Sequence, residues 1–364
     1  MSLERIGIVV HEGKPSARAA AETVRRWAAG HDIPAVAVDV WSDRGQRRNA
    51  RDEAAEAGYP DLIVTIGGDG TFLRGARIAA VVDAPVLGVD VGRVGFLTEV
   101  GVEELTAALE AVRNDSAIIE ERLRLNLRAS RPLEIPAGLD TLLRYGRGPK
   151  LPPPPVRPGL PDEVGWGVGL DVTALNDVVF EKLARDRQAS LGVYVAGRRF
   201  ASYSADAVVV SSPTGSTAYS FAAGGPVLSP RVEAIVFTPV APHMIFDRSL
   251  VLAADEAAGV RVLRHSGQVA VSVDGQLRGV LDPGDWVAVF AGGPRARLVR
   301  LRPSDFFARL RDRFALADAA AADDSDEPPE YRPDAPPPPE LRQLYLPPRT
   351  EPDDPGRRSR RRRG

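Results

Sequence analysis

With 364 residues, 44% hydrophobic and 26% charged, the chain has an ordinary soluble composition and the length for two domains with real cores. A formal net charge of −2 argues against a surface built for nucleic acid or membrane. Cysteine is absent, which excludes disulfides and thiolate metal sites, and the four histidines (His11, His31, His243, His265) lack the spacing of zinc ligands. The N-terminus is too short and charged for a signal peptide and no apolar run approaches a membrane span, so a soluble, cytoplasmic protein is expected.

The first third alternates strand and helix patterns. "RIGIVV" reads as a strand, Gly13-Lys14-Pro15 as a turn, and the alanine-rich stretch to Gly30 as a helix. "IPAVAVDV" and "DLIVTI" read as further strands, followed by a helix through about Ala80, the segment "APVLGVDVGRVGF" and the helix "VEELTAALEAVRND". Short apolar strands separated by helices predict a parallel sheet covered on both faces. The pattern changes after residue 117. "RLRLNLRAS" has the period of a half-buried strand, and strands follow at 170–181, 191–197, 199–210, 234–238, 259–264 and 268–281. Asp274-Gly275 marks a hairpin turn in the last of them. The expected organisation is an α/β domain over 1–117, completed by 290–316, and a mostly antiparallel β-rich domain over 118–289. The β-rich domain carries a proline-rich insertion at 131–163, expected as a surface loop, and an acidic, proline- and arginine-rich tail at 317–364, expected to be disordered, follows the folded part.

"DLIVTIGGDGTFLRG", residues 61–75, places a carboxylate, Asp69, in a glycine turn between a strand and a helix. Such turns hold anions through backbone amides and the helix dipole, so an acid there is out of place unless the ligand brings a metal or a proton to be removed. The segment is neither a Walker loop nor a dinucleotide fingerprint. By spacing alone two readings stay open. Asp69 either caps a helix beginning at Thr71 or serves chemistry at the C-terminal end of a parallel strand.

"GGDGTFLRG", then "LND" at 175–177, then "SSPTGSTAYSFAAGGPVLSP" at 211–230, together resemble the NAD kinase family in order and separation, over about residues 60–130 and 170–312. The resemblance implies an α+β two-domain kinase of NAD kinase type, with a parallel-sheet α/β domain beside an antiparallel β domain. It implies transfer of a phosphoryl group from ATP or polyphosphate, with Mg2+, to the 2′-hydroxyl of the adenosine ribose of NAD, giving NADP. Asp69 would accept the hydroxyl proton. Gly68 and Gly70 would let substrate approach the backbone, Arg74 would offset phosphate charge, and Phe96 would line the adenine side.

The same resemblance assigns Asn176 and Asp177 to ribose hydroxyls or an adenine edge, Arg187 to a further nucleotide contact, and Thr217, Ala218, Tyr219, Ser220 and Ala222 to the adenine and ribose of NAD. Thr214 adds a hydroxyl on that loop. Asp206 stands where the family reaches the nicotinamide end of a substrate bound to a neighbouring subunit, which implies a homo-oligomer, a dimer or tetramer. The family's Gly-Asp-Gly is Ala-Asp-Ala here, and Ser204 stands where relatives often carry arginine. Ala241, His243 and Gln276 also fall at family binding positions. No protein ligand set for the metal is assigned, and neither membrane nor nucleic acid is an expected partner. A lipid or sphingoid-base kinase sharing the GGDG turn, and a non-catalytic nucleotide-binding protein, are the rival expectations.

Overall fold

The computed structural model describes residues 3–11, 13–40, 49–92, 95–135, 167–183, 187–303 and 305–316. From residue 136 the expected insertion, and the whole tail 317–364, lie outside the described residues. By internal contacts the chain forms two units, Met1–Leu310 and Arg311–Gly364, the second described only over residues 311–316.

The N-terminal layer begins with β1 (Ile6–Val10), α1 (Pro15–Ala29), β2 (Ala35–Ala37), α2 (Ala50–Glu56), β3 (Leu62–Ile66), α3 (Asp69–Val82) and β4 (Val86–Asp90). β5 (Val100–Gly101), α4 (Leu105–Arg113) and β6 (Ile118–Arg122) follow. Pro15 opens α1 where a missing N–H costs nothing. The buried residues of that helix, Ala17, Ala20, Ala21, Val24, Trp27 and Ala28, form one face. Alternation along β3 divides two cores. Leu62, Val64 and Ile66 pack with α1 and α4, whereas Ile63 packs with α2 and α3. Burial on both faces explains why these strands read as unbroken apolar runs.

Among the described residues twelve strands follow. β7 (Leu125–Ala129), β8 (Val168–Ala174), β10 (Ala189–Val195), β11 (Arg198–Ala205), β15 (Ala258–Val262) and β18 (Trp286–Ala291) make one sheet in the order β11-β10-β15-β18-β7-β8. β9 (Asp177–Lys182), β12 (Ala207–Ser211), β13 (Ala234–Val240), β14 (Leu250–Ala253), β16 (Val269–Val273) and β17 (Gln276–Leu281) make another, ordered β14-β13-β12-β9-β16-β17. All pairings in both are antiparallel. Leu127, Leu191, Val260 and Val287 from the first sheet share a core with Phe180, Val208, Val210, Phe237 and Val271 from the second, so the sheets form a sandwich. β19 (Ala296–Arg300) then returns to the N-terminal sheet, whose order is β2-β1-β3-β4-β19-β6, with β5 beside β4. β19 runs parallel to β4 and antiparallel to β6.

Two runs expected as single strands are each broken in two. The 170–181 run splits at Leu175–Asn176 and the 199–210 run at Asp206, and at each break the chain passes from one sheet of the sandwich to the other. The backbone amides of Leu175 and Asn176 leave the ladder for the Asp274 carboxylate, and that of Asp206 donates to Val240 O. α2 and β14 arise where no element was expected. α2 starts from Asn49, whose side chain accepts from Asp52 N at 2.9 Å in a capping box.

Candidate active site

β3 delivers the chain to Gly67 and Gly68, and α3 begins at Asp69 itself rather than at Thr71. Gly68 is the N-cap, and Asp69 does not cap. Its side chain turns to the loop after β4. There Oδ2 accepts from Phe96 N at 3.0 Å, while Oδ1 accepts from Leu97 N at 3.0 Å and Thr98 N at 3.4 Å. A carboxylate offers about four lone-pair positions, so this cradle leaves roughly one for a ligand hydroxyl. A Cβ on Gly95 would stand 2.2 Å from Asp69 Oδ1, so only glycine allows the carboxylate to sit so close to the loop. Above Gly68 and Gly70, by contrast, an added Cβ would meet nothing within 4 Å.

The cradle is itself held from below. Thr98 Oγ1 accepts from Gly95 N at 2.7 Å and donates to the buried Asp90 at 3.3 Å. Arg300, 1% exposed, donates to Leu97 O at 3.2 Å and pairs with Glu99 and Glu120 at 2.9 and 2.6 Å. Glu120 also takes Arg122 at 2.7 Å, and Arg122 Nη1 reaches Thr214 Oγ1 at 3.4 Å. A chain of buried ionic hydrogen bonds therefore ties the Asp69 cradle to the loop holding the predicted hydroxyls. Burial pushes the Glu120 carboxyl up, but Arg300 and Arg122 outweigh this and hold it below its ordinary value. Phe96 is half-buried, its ring 6.4 Å from that of Phe306.

A second group of predicted residues gathers where β8 meets β9. Asp274 Oδ2 accepts from Leu175 N at 2.9 Å, and Oδ1 accepts from Asn176 N and Asp177 N at 2.8 and 3.2 Å. Asp274 and Gly275 both have positive φ, 47° and 72°, as a two-residue hairpin turn demands. That turn carries Asp274 to the Asn176–Asp177 backbone from nearly a hundred residues away. Asn176 O accepts from Ser212 N at 2.9 Å, and a Cβ on Gly215 would lie 2.1 Å from the same oxygen. Burial first, then the Asp274 charge, push the Asp177 carboxyl up to about 7, offset in part by the Tyr219 backbone amide. Leu175 packs in one core with Phe72 and Leu97, which brings this group to the Asp69 loop.

The hydroxyls on the 214–222 loop divide. Ser220 Oγ bonds Thr238 Oγ1 at 2.9 Å, and Thr217 Oγ1 donates to Thr214 O at 3.4 Å. Tyr219 is 39% exposed. Its hydroxyl is pushed above the ordinary tyrosine value by partial burial and then by the charges of Glu181, Asp177 and Asp206. Ala218 joins the 3-10 turn Thr214–Thr217 to the short helix Tyr219–Ala222, and Ala222 is exposed. Asp206 pairs with Lys182 at 2.5 Å and adjoins Ala241, which has φ 45° and accepts from Gln188 Nε2 at 3.2 Å. Gln188 Oε1 in turn accepts from Ser204, whose carbonyl takes the His243 amide. Arg187 is exposed. Gln276 Oε1 accepts from the buried Arg278 at 3.0 Å, and Arg74, pushed down to about 10 chiefly by burial, lies in the same field of charges.

Motif reading missed the 95–98 amide cradle, the carboxylate of Asp274 and the Arg122–Glu120–Arg300 chain. Only the Asp274-Gly275 turn left a trace in the sequence, and it announced a hairpin rather than the partner of Asn176. Among the described residues no cluster of three or more acidic or histidine side chains suits a metal, and no helix is long and apolar enough to cross a membrane.

A buried parallel strand, a GGDG turn opening a helix and an adjoining antiparallel sandwich define the class of GGDG-turn kinases. The ATP-NAD kinase N-terminal domain family matches residues 6–117, and the ATP-NAD kinase C-terminal domain family matches residues 175–301. NAD kinase 1 of Streptomyces coelicolor is 60% identical over 348 residues, covering 95% of this chain and 96% of the relative. NAD kinase 1 of Streptomyces avermitilis is 59% identical over 349 residues, covering 96% and 98%. Among solved structures, yeast NADH kinase complexed with NADH superposes with a TM-score of 0.66 at 21% identity, covering 88% of this chain and 89% of that one. An NAD kinase from Archaeoglobus fulgidus in complex with ATP gives 0.57 at 21% identity, covering 85% and 97%. At that identity these two bear on the fold alone. The chain belongs to the NAD kinase family and is a phosphotransferase. The lipid-kinase and non-catalytic readings are not favoured.

Proposed function

We propose that the protein phosphorylates the 2′-hydroxyl of the adenosine ribose of NAD to give NADP, with Asp69 as the proton acceptor. The observation that carries the reading is the fixed carboxylate at the start of α3, beside open space over Gly68 and Gly70. The ribose oxygen forms a bond to the terminal phosphorus of the donor as the bond to the leaving phosphate breaks, and the hydroxyl proton passes to Asp69. A positioned base contributes about 10²–10⁴-fold, and the amide cradle supplies the positioning. Asn176 and Asp177, held by Asp274, offer an amide and a carboxyl to ribose hydroxyls or an adenine edge. The Tyr219 backbone amide bonds Asp177, Thr217 lies two residues before it on the same loop, and Ser220 supports that loop.

The reading includes Mg2+ carried by the donor's phosphates, with the Asp69 carboxylate of the glycine turn near by. Bound there, the ion would neutralise charge on the transferring phosphoryl group. ATP is the donor favoured by the family descriptions, with polyphosphate as the alternative. The same reading includes a cytoplasmic homo-oligomer in which Asp206 meets the nicotinamide end of a substrate held by a neighbouring subunit, with Ala241 at a binding position beside it.

The test is a coupled assay for NADP with ATP or polyphosphate, with and without Mg2+. NADP should form with the metal, and Asp69→Asn should lose about 10²–10⁴-fold in kcat while keeping its unfolding transition. Substantial turnover by that variant would remove Asp69 from the role. Light scattering on the purified protein checks the oligomer.

A further inference from the structure

The loop that aims Asp69 is gripped a second time, from its carbonyl side. The amides of Leu97 and Thr98 donate to Asp69 Oδ1, and the carbonyls of the same two residues accept from two different arginines. Arg300 reaches Leu97 O at 3.2 Å and Arg309 reaches Thr98 O at 2.8 Å. One carboxylate sets both guanidinium groups. Glu99, its side chain 6% exposed, accepts at Oε2 from Arg300 at 2.9 Å and from Arg309 at 2.6 Å. Its Oε1 accepts from Leu301 N at 3.0 Å, and its amide donates to Gly88 O at 2.8 Å.

The two arginines come from different places. Arg300 is built into β19, whereas Arg309 stands on the helix Phe306–Phe314. Asp305 starts that helix, its Oδ1 accepting from Ala308 N at 2.9 Å. None of its residues is buried, and Phe306, Arg309 and Leu310, all within the unit Met1–Leu310, are partly buried positions three and four residues apart. A short helix with so little buried surface gains little from packing. Its hold on the loop therefore rests on the two charge-assisted hydrogen bonds of Arg309 and on the Phe306 ring beside Phe96. Arg302, a few residues earlier, offers an internal comparison. It pairs at 3.0 Å with Glu104, both side chains exposed, and that pair involves neither Asp69 nor residues 96–99.

We propose that Arg309 is a positioning residue for phosphoryl transfer: by holding the Thr98 carbonyl and the Glu99 carboxylate, it fixes the amides that aim Asp69. Arg300 fixes the preceding carbonyl from within the sheet, so the two arginines brace the loop together. A guanidinium on a peptide oxygen also polarises that peptide and strengthens the N–H on its far side. In the Leu97–Thr98 peptide that N–H is the one facing Asp69. The brace stands on geometry, and its bearing on turnover rests on the NAD kinase reading.

Steady-state NADP assays on Arg309→Gln, Arg309→Lys and Arg302→Gln test the role, with Arg309→Gln also combined with Asp69→Asn. Misplacement of a reacting group costs rate more than affinity, so Arg309→Gln should lower kcat about tenfold while KM for NAD stays within about twofold. Arg309→Lys keeps the charge but not the fork, and should fall about threefold in kcat at the same KM. Arg302→Gln should match the parent. In the Asp69→Asn background Arg309→Gln should cost nothing further, because its effect runs through Asp69. Hydrogen exchange by NMR needs no turnover: the Leu97 and Thr98 amides should exchange about tenfold faster in Arg309→Gln and unchanged in Arg302→Gln. If Arg309→Gln does not fold, Arg309→Lys decides by the same split between kcat and KM. Unchanged kcat, an equal fall in Arg302→Gln, a further tenfold fall on top of Asp69→Asn, or unchanged exchange would overturn the proposal. Absence of NADP from the parent, with the exchange responding as stated, would fault the functional reading and leave the brace on Asp69 standing.

Discussion

The two halves of the site use the same device for opposite ends. In the α/β layer, a carboxylate from a helix start, Asp69, is held by the amides of Phe96, Leu97 and Thr98. In the sandwich, a carboxylate from a hairpin turn, Asp274, is held by the amides of Leu175, Asn176 and Asp177. The surroundings separate their roles. Asp69 has open space over its flanking glycines, so the loop serves to aim the acid. Asp274 donates its aim to others: it bends the chain between β8 and β9 and presents Asn176 and Asp177. One carboxylate is positioned by backbone and the other positions backbone, and hydrogen-bond counts alone do not tell them apart.

Variants can break this contrast. Gly95→Ala should be the severest for chemistry, because the new methyl would stand 2.2 Å from Asp69 Oδ1 and displace it. A misplacement of about 1 Å costs on the order of 10²-fold, so kcat should fall by about that factor while KM for NAD changes little. Asp274→Ala should do the reverse. It strands three amides, so stability should drop by about 3 kcal/mol in urea unfolding and KM for NAD should rise more than kcat falls. Equal kinetic profiles for the two variants would erase the distinction.

The smallest effect is one of pH. Asp177, raised to about 7, is partly protonated at neutrality, and under the proposed function it accepts from a ligand hydroxyl best when ionised. KM for NAD should therefore fall as pH rises through about 7, by roughly tenfold per unit below that value, and level off above it. The stability sign is opposite. From its ordinary 3.8 to about 7 the folded protein holds this proton more tightly than the unfolded chain does, so the group lowers stability as pH climbs through that window. Asp177→Asn should flatten both profiles, as read by steady-state kinetics and by urea unfolding at several pH values.

Much of this architecture was legible beforehand. Continuous apolar runs such as Leu62–Ile66 announced strands buried on both faces, and alternation in "RLRLNLRAS" announced the half-buried strands of an antiparallel domain, though not that two sheets would pack as a sandwich. The GGDG turn, the Leu175–Asp177 triplet and the 211–230 segment carried the family. What misled was local smoothness. Residues 170–181 and 199–210 look like single strands because apolar periodicity does not register a change of sheet. Asp69 likewise looked like a possible cap, since local spacing does not show a loop nearly thirty residues away offering better donors.

The sequence by itself determined most of the strands and helices and the class of each layer, because these follow from periodicity, while its short motifs carried the resemblance that implied the site residues. Only the tertiary structure decided which backbone amides each acid meets. The amides that fix Asp69, the turn that fixes Asn176 and the arginines that crowd Arg278 come from segments far apart in the chain. Their meeting is set by sheet order and burial, which no local pattern encodes.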